Sequence, residues 1–278
     1  MTFIKTRRPQ DVKNEVRFLQ ALSDTPFVPR IISYAGHYVE LEHIESETVT
    51  DEDKFIRGCA SALSVMRSRS IRHGDLTEYN VLVRDNVPVL VDFAESRFEG
   101  EPGDDKRQEG DAYHLWRTAL HYTTDGRRVL RRWLAMRDHI VGKTMLDIGP
   151  AHGLFIDLAN AEGYEAMGID IQPEVSHPHI KTADIWGQSH IKADNILMLA
   201  VWPYLVQQGG FSNAARLLTQ IEYKELFFEA QLVGDGPGTF ACAEAVEDFL
   251  ALFGDVTPLV TIEIPDRHIS RTTYKVTA

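Results

Sequence analysis

Residues 72–80 read RHGDLTEYN, and residues 89–96 read VLVDFAES. The first stretch sets an acid, Asp75, directly after His-Gly and an asparagine, Asn80, five residues later. The second is an apolar run that ends on Asp92, twelve residues beyond Asn80. An ordinary surface loop has no need of that spacing. Phosphoryl transfer does: it asks for a positioned acceptor hydroxyl, metal ions bridging the phosphates and charge compensation, with little covalent chemistry from the protein. Asp75 would accept the acceptor's proton. Asn80 and Asp92 would be metal ligands of the oxygen type that suits Mg2+.

Taken together, these residues resemble the protein-kinase superfamily. HGD stands where that family has its catalytic-loop His-Arg-Asp, the Asp75-to-Asn80 interval matches, and DFA stands for Asp-Phe-Gly. The His-Gly-Asp form looks most like the Rio-type, lipopolysaccharide-core and aminoglycoside kinase branches. The resemblance implies further roles upstream and downstream. Lys5 in FIKT matches the strand lysine that grips nucleotide phosphates, and Glu15 in NEVRFL matches its helix partner. ELEHIE resembles the hinge, so the backbone at Glu42 and Ile44 would meet the adenine of ATP. Asp111 in GDAYHLWRTAL would buttress the catalytic loop. His73 is expected to be a packed, hydrogen-bonded ring rather than a general base.

Two departures shape the expected domain. No glycine-rich phosphate loop precedes the lysine strand, which predicts an α+β kinase-like domain lacking that loop and two small-lobe strands. The stretch between Asp92 and Asp111 has no Ala-Pro-Glu, which suits a small-molecule or glycan kinase better than a protein kinase.

The second half reads differently. KTMLDIG, YEAMGIDI, ADNILMLAVW and KELFFEAQL are strand-like runs alternating with helix-like stretches, the signature of an α/β layer fold. Residues 147–153, DIGPAHG, place Gly149 and Gly153 in a turn between a strand and a helix. Such a turn lets a ligand approach the backbone and meet the helix N-terminus. Asp170 follows 23 residues after Asp147 at the end of the next strand, where an acid can hold ribose hydroxyls. On geometry alone this turn could belong to a dinucleotide site.

Most of residues 141–278 resembles the class I S-adenosylmethionine-dependent methyltransferases, with a Rossmann-like sheet. Their Asp-x-Gly-x-Gly-x-Gly pattern stands here as Asp147, Gly149, Ala151 and Gly153, with alanine replacing the middle glycine. The resemblance implies that Asp147 and the loop face the methionine end of S-adenosylmethionine and that Asp170 holds its ribose. Asp184 in TADIWG would contact the adenine amino group, or else cap a helix. Trp202 in NILMLAVW would lie near the methyl donor. The closing pair VTIEI and TTYKV fits the antiparallel end of that family's sheet. No clear catalytic base emerges: His152, His177, His179, His190 and His268 each read as surface or packed residues.

Composition bounds the rest. At 278 residues the chain is long enough for about two domains. The boundary is placed near residue 140, giving a kinase-like domain over 1–140 and a methyltransferase domain over 141–278. The first half carries 21 Lys and Arg against 23 Asp and Glu; the second carries 8 against 18. That acidic second half argues against duplex nucleic acid as its main ligand, because phosphate neutralisation needs clustered cations. Residues 127–137, RRVLRRWLAMR, space Val129, Trp133, Met136 and Ile140 on one helical face with arginines between them. That helix would present either a solvated basic face or a docking face for an anionic substrate. No membrane span and no secretory leader are read. Two distant cysteines suit a reducing cytoplasm.

The expectation is therefore a bifunctional transferase. One half would phosphorylate a hydroxyl of a glycan or small molecule with ATP and Mg2+. The other would transfer methyl groups from S-adenosylmethionine, with the phosphorylated product as one candidate acceptor. The alternative is a methyltransferase whose kinase-like domain is a non-catalytic binding or scaffold module. Acceptor identity and oligomeric state are not legible.

Overall fold

The computed structural model describes residues 2–101, 110–124, 127–174, 176–232, 240–264 and 269–278. The chain divides into two compact units, Met1–Leu130 and Arg131–Ala278.

The first unit opens with strand β1 (Thr2–Thr6), helix α1 (Pro9–Ala21) and the pair β2 (Ile31–Ala35) and β3 (Tyr38–Glu42). These strands form an antiparallel sheet in the order β1-β3-β2, with Phe3 opposite Leu41 and Lys5 opposite Val39. Proline at the start of α1 costs nothing, since the first turn's amides have no partners inside the helix. The buried stripe of α1 is Val12, Glu15, Val16 and Leu19, helical spacing with one acid inside it. That acid needs a cation, and Lys5 supplies one.

Helix α2 (Glu52–Ser68) is capped by Asp51, whose side chain accepts from the Lys54 amide at 2.9 Å. Such a cap contributes about 1 kcal/mol. Then come β4 (Ile71–Arg72), β5 (Val81–Arg84), β6 (Val87–Leu90) and β7 (Arg97–Phe98), followed by α3 (Gly110–Tyr122). The pairs are β4 with β7 and β5 with β6, both antiparallel. The β5–β6 turn has Asp85 at φ 53° and Asn86 at φ 59°, the twist-matched hairpin geometry that Asp and Asn tolerate. Asn86 Oδ1 also accepts from the Thr50 and Asp51 amides at 2.7 and 2.9 Å, fixing the hairpin to the start of α2.

The basic helix is α4 (Arg127–Met136), and the division between units falls inside it, after Leu130, earlier than the sequence placed it. The reason is visible in its side chains. Trp133 Nε1 donates to Glu162 at 2.7 Å, Arg137 pairs with Glu162 at 2.9 Å, and Arg132 pairs with the fully buried Glu229 at 2.8 Å. Arg132 and Arg137 are thus ion-paired within the second unit, neither a solvated face nor a docking surface.

The second unit runs β8 (Thr144–Ile148), α5 (Leu154–Glu162), β9 (Glu165–Asp170), β10 (Ile180–Thr182), β11 (Ile191–Lys192), β12 (Asn195–Leu199), α6 (Trp202–Gly209), α7 (Phe211–Leu218), β13 (Ile221–Glu222), β14 (Glu225–Glu229), α8 (Ala243–Leu250), β15 (Asp255–Ile264) and β16 (Ile269–Thr277). The main sheet has the order β10-β9-β8-β12-β14-β16-β15. From β10 to β14 it is parallel; β16 and β15 close one edge antiparallel. The chain leaves β8 toward β9 on one side and returns to β12 on the other. A cleft opens at the carboxyl ends of the strands at such a switch point. The short strands β10, β11 and β13 and the helices α6 and α7 are not among the elements expected from the sequence. Among the described residues, no helix is long and apolar enough to cross a membrane. Both cysteines are free thiols.

Candidate functional site

In the first unit the site is assembled from three segments. The loop after β4 is held by Asp111 at the start of α3: its carboxylate accepts from the His73 amide at 2.7 Å and the Gly74 amide at 2.9 Å. Gly74 has φ 81°, a conformation glycine adopts without cost. His73 is fully buried. Its Nε2 meets the Val91 carbonyl at 3.0 Å and its Nδ1 accepts from the Asp75 amide at 3.3 Å. Burial pushes the His73 pKa down, against the pull of the carboxylates of Asp111, Asp75 and Asp92. A neutral ring with both nitrogens engaged is a brace, as the sequence suggested.

Asp75 is exposed on that loop, and Asn80 lies buried behind it. Asn80 Nδ2 donates to Asp75 Oδ2 at 2.8 Å and to the Asp75 carbonyl at 2.9 Å. The amide nitrogen is spent on Asp75, so a cation would be met by Asn80 Oδ1. The Val91 amide donates to the Asn80 carbonyl at 2.9 Å, which sets Asp92 beside the loop. Asp92 has φ 68°, a left-handed conformation rare outside glycine but more open to aspartate than to most residues. From α1, Asn14 Nδ2 donates to the carbonyls of Ala94 and Ser96 at 2.8 and 2.9 Å, bracing the turn that follows.

Lys5 Nζ lies 2.8 Å from Glu15 Oε1 and 3.9 Å from Asp92 Oδ2. Arg7, absent from the sequence reading, donates from Nη2 to Asp92 Oδ2, and its Nε is 3.9 Å from Glu15 Oε2. The available signal was a second cation two residues after Lys5, on the same side of an extended chain. A cavity of about 330 Å3 is lined by Phe3, Lys5, Leu41, Ile44, Asn80 and Asp92 among others. Glu42 and Ile44 both border it, but the Glu42 amide is already committed to the Arg30 carbonyl at 2.8 Å. With that amide committed, a backbone contact from Glu42 to adenine would have to use its carbonyl, which can accept from the adenine amino group. Among the described residues, no group of three or more His, Cys, Asp or Glu could hold a metal ion. The pair Asn80 and Asp92 nonetheless suits Mg2+, which takes one or two protein oxygens and completes its shell with water and substrate phosphates.

In the second unit the glycine turn follows β8. Gly149, Ala151 and Gly153 have φ 74°, 47° and 76°. A Cβ on Gly149 would stand 2.6 Å from Val201 Cγ2, and one on Gly153 would stand 3.0 Å from Ile180 Cδ1. Gly149 is therefore demanded by space as well as by backbone, and Gly153 by its left-handed backbone in a tight but less forbidding space. Ala151 takes a left-handed conformation that costs it about 1 kcal/mol or more. Its amide donates to Asp170 Oδ2 at 3.1 Å, and the Gln172 amide donates to Asp170 Oδ1 at 2.8 Å. A carboxylate has about four acceptor sites, so Asp170 retains capacity for two hydroxyls. The backbone cradle and this remaining capacity fit an adenosyl ligand.

Asp147 is buried one strand from Asp170's own, opposite Gly168. Burial and then the nearby Asp170 charge push its pKa up to about 7. Asp184 is exposed just past β10, and its Oδ1 accepts from the Trp186 amide at 3.0 Å, the cap of a short turn of helix. The capping alternative for Asp184 is the one seen; its other oxygen keeps adenine within its chemistry. Trp202 departs from expectation. It is fully buried among Phe211, Phe228, Phe240 and Phe249, with ring centroids 5.2–6.2 Å away. An aromatic at the start of α6 faces the helix-covered core of the sheet, not the turn, so Trp202 is a core residue. Val201, one position earlier, is the residue against the glycine turn.

Of the histidines, His177 Nε2 lies 2.9 Å from Asp157 Oδ1 and His152 pairs with Glu174. His190 stands 3.8 Å from Glu222, and the His179 amide donates to His177 Nδ1 at 3.2 Å. His268 lies outside the described residues.

A sequence-family model described as the RIO domain matches residues 5–103, so the N-terminal part carries a kinase-like RIO domain. Among solved structures, the bifunctional kinase-methyltransferase WbdD at medium resolution is similar at 15% identity and TM-score 0.44, over 56% of this chain and 40% of that one. A second WbdD structure is similar at 16% identity and TM-score 0.41, over 51% and 32%. The N-methyltransferase NodS from Bradyrhizobium japonicum WM9 is similar at 18% identity and TM-score 0.42, over 55% and 97%. The chain spans about a third to two-fifths of the WbdD chains it matches.

Proposed function

We propose that the protein is a bifunctional transferase, a phosphotransferase in its first unit and a methyltransferase in its second. The observation that carries the first half is that Lys5, Asn80 and Asp92 line one cavity, with Asp75 hydrogen-bonded to Asn80 and Glu15 paired with Lys5. In this reading an acceptor hydroxyl of a glycan or small molecule attacks the terminal phosphorus of ATP. The bond to the bridging oxygen breaks, ADP leaves, and the hydroxyl proton passes to Asp75. Asn80 Oδ1 and Asp92 would hold Mg2+, which supplies charge compensation at the phosphates. Lys5, fixed by Glu15, would bind phosphate oxygens, and the chain at Ile44 would border adenine.

For the second half, the glycine turn and Asp170 are the support. S-adenosylmethionine supplies an activated methyl group when bound. The turn from Gly149 to Gly153 would bind its amino-acid end together with Asp147, Asp170 would orient the ribose, and Asp184 would border the adenine. Methyl transfer depends more on alignment than on a strong base, which accords with the absence of an obvious one among the described residues.

Phosphate transfer from radiolabelled ATP with Mg2+, compared among wild type, Asp75→Ala and Asp92→Ala, tests the first half. Turnover that both variants abolish is expected. A wild type that neither binds nor turns over ATP leaves the alternative, a methyltransferase with a non-catalytic kinase-like module. Calorimetric titration with S-adenosylmethionine tests the second half. Binding that Asp170→Ala weakens at least tenfold is expected, and a wild type without affinity refutes it.

A further inference from the structure

Lys5 and Arg7 face Glu15 and Asp92, two cations against two carboxylates. Lys5 is committed to the buried Glu15 at 2.8 Å. Arg7 is the looser member: its side chain is 31% exposed, and its partner Asp92 is 26% exposed. Nothing in the phosphotransfer reading above uses Arg7. We propose that Arg7, which meets the cavity through its lining residue Asp92, is a second phosphate-gripping residue beside Lys5, held by Asp92 until a divalent cation takes Asp92 over and releases the guanidinium to the nucleotide's terminal phosphates. This inference rests on that reading of the first unit.

The physical case is an exchange of partners. Arg7 Nη2 holds Asp92 Oδ2, one of the oxygens a cation shared with Asn80 would need. A guanidinium and a divalent cation at one carboxylate repel each other, so occupancy by one favours departure of the other. The pair that must break is partly solvated, and such pairs contribute little net stability. The polyphosphate that arrives with the cation offers Arg7 a better partner, because the guanidinium fork matches phosphate oxygens in pairs. Before exchange the four side chains sum to zero charge. After it, the cation leaves a net positive pocket for a polyanion. Part of the phosphate grip would thus come from a side chain just past the end of β1, and it would depend on metal.

The test is a binding experiment that needs no turnover. Fluorescent analogues of adenosine, the diphosphate and the triphosphate are titrated into wild type, Arg7→Ala and Arg7→Lys, with and without Mn2+. Free Mn2+ is counted by its paramagnetic resonance signal in parallel. Arg7→Ala is expected to weaken triphosphate binding in Mn2+ by about tenfold or more, the scale of one lost hydrogen bond to a charged group. It should leave adenosine affinity unchanged and bind Mn2+ alone more tightly than wild type. Arg7→Lys should fall between. Unchanged triphosphate affinity in Arg7→Ala, or an equal loss for adenosine, overturns the role of Arg7. A wild type that binds no nucleotide at all overturns the phosphotransfer reading instead.

Discussion

Asp147 makes the stability of the second unit depend on pH in a direction opposite to that of most carboxylates. Its pKa rises from 3.8 to about 7, chiefly through burial and secondarily through the charge on Asp170. Between those values the folded state keeps a proton that the unfolded state has lost, so stability falls as pH rises. The contribution is fully present below the unfolded pKa and is gone above about pH 7. A folded pKa near 7 predicts about 1.4 kcal/mol of bonus at pH 6 and almost none at pH 8. Asp147→Asn removes the titration while keeping shape. The stability difference between wild type and Asp147→Asn should therefore shift by about 1.4 kcal/mol against wild type from pH 6 to pH 8. Urea unfolding followed by tryptophan fluorescence reads this directly, because Trp133, Trp186 and Trp202 all lie in the second unit. A difference that stays flat across the window would refute the argument, since it would mean Asp147 is ionised in the fold throughout.

Three further outcomes follow from the packing. Asp111→Ala strips a carboxylate partner from two amides of the loop after β4, and at about 1.5–3 kcal/mol for each bond to a charged group should cost 3 kcal/mol or more; hydrogen exchange at His73 and Gly74 should accelerate, and unchanged protection there would exclude the bracing role. Trp202→Ala should cost about 3–5 kcal/mol as a core truncation, whereas Trp202→Phe should be far milder, because the indole N–H has no partner among the described residues; thermal melts of both variants, with S-adenosylmethionine affinity measured on Trp202→Phe, separate core from site. Gly149→Ala places a methyl 2.6 Å from Val201 Cγ2 at φ 74°, so S-adenosylmethionine affinity should collapse while nucleotide binding by the first unit is untouched, as paired titrations will register.

Local chemistry made much of this molecule legible. The five-residue interval from Asp75 to Asn80 spans one tight loop, and its hydrogen bonds close within the loop itself. The stripe of α1, the hairpin turn at Asp85 and Asn86, and the glycines at 149 and 153 likewise answer to backbone rules that act over a few residues. Other features did not yield to such reading. Helical spacing on 127–137 was correct, but the arginines' partners, Glu162 and Glu229, come from distant strands and helices that no local pattern names. Trp202 followed an apolar strand toward a presumed ligand, and only the packing of α6, α7 and α8 showed which side of the sheet it fills.

By itself, then, the sequence determined the types of the longer elements and the intervals between acidic residues on single loops, because dihedral preference and side-chain periodicity are short-range. Tertiary structure alone decided which carboxylates are ionised and which cation each one meets. Asp147 is pushed toward neutrality, and Arg7 reaches Asp92 from 85 residues away. Desolvation and Coulomb energy depend on distances through space, and those exist only once the strands have paired.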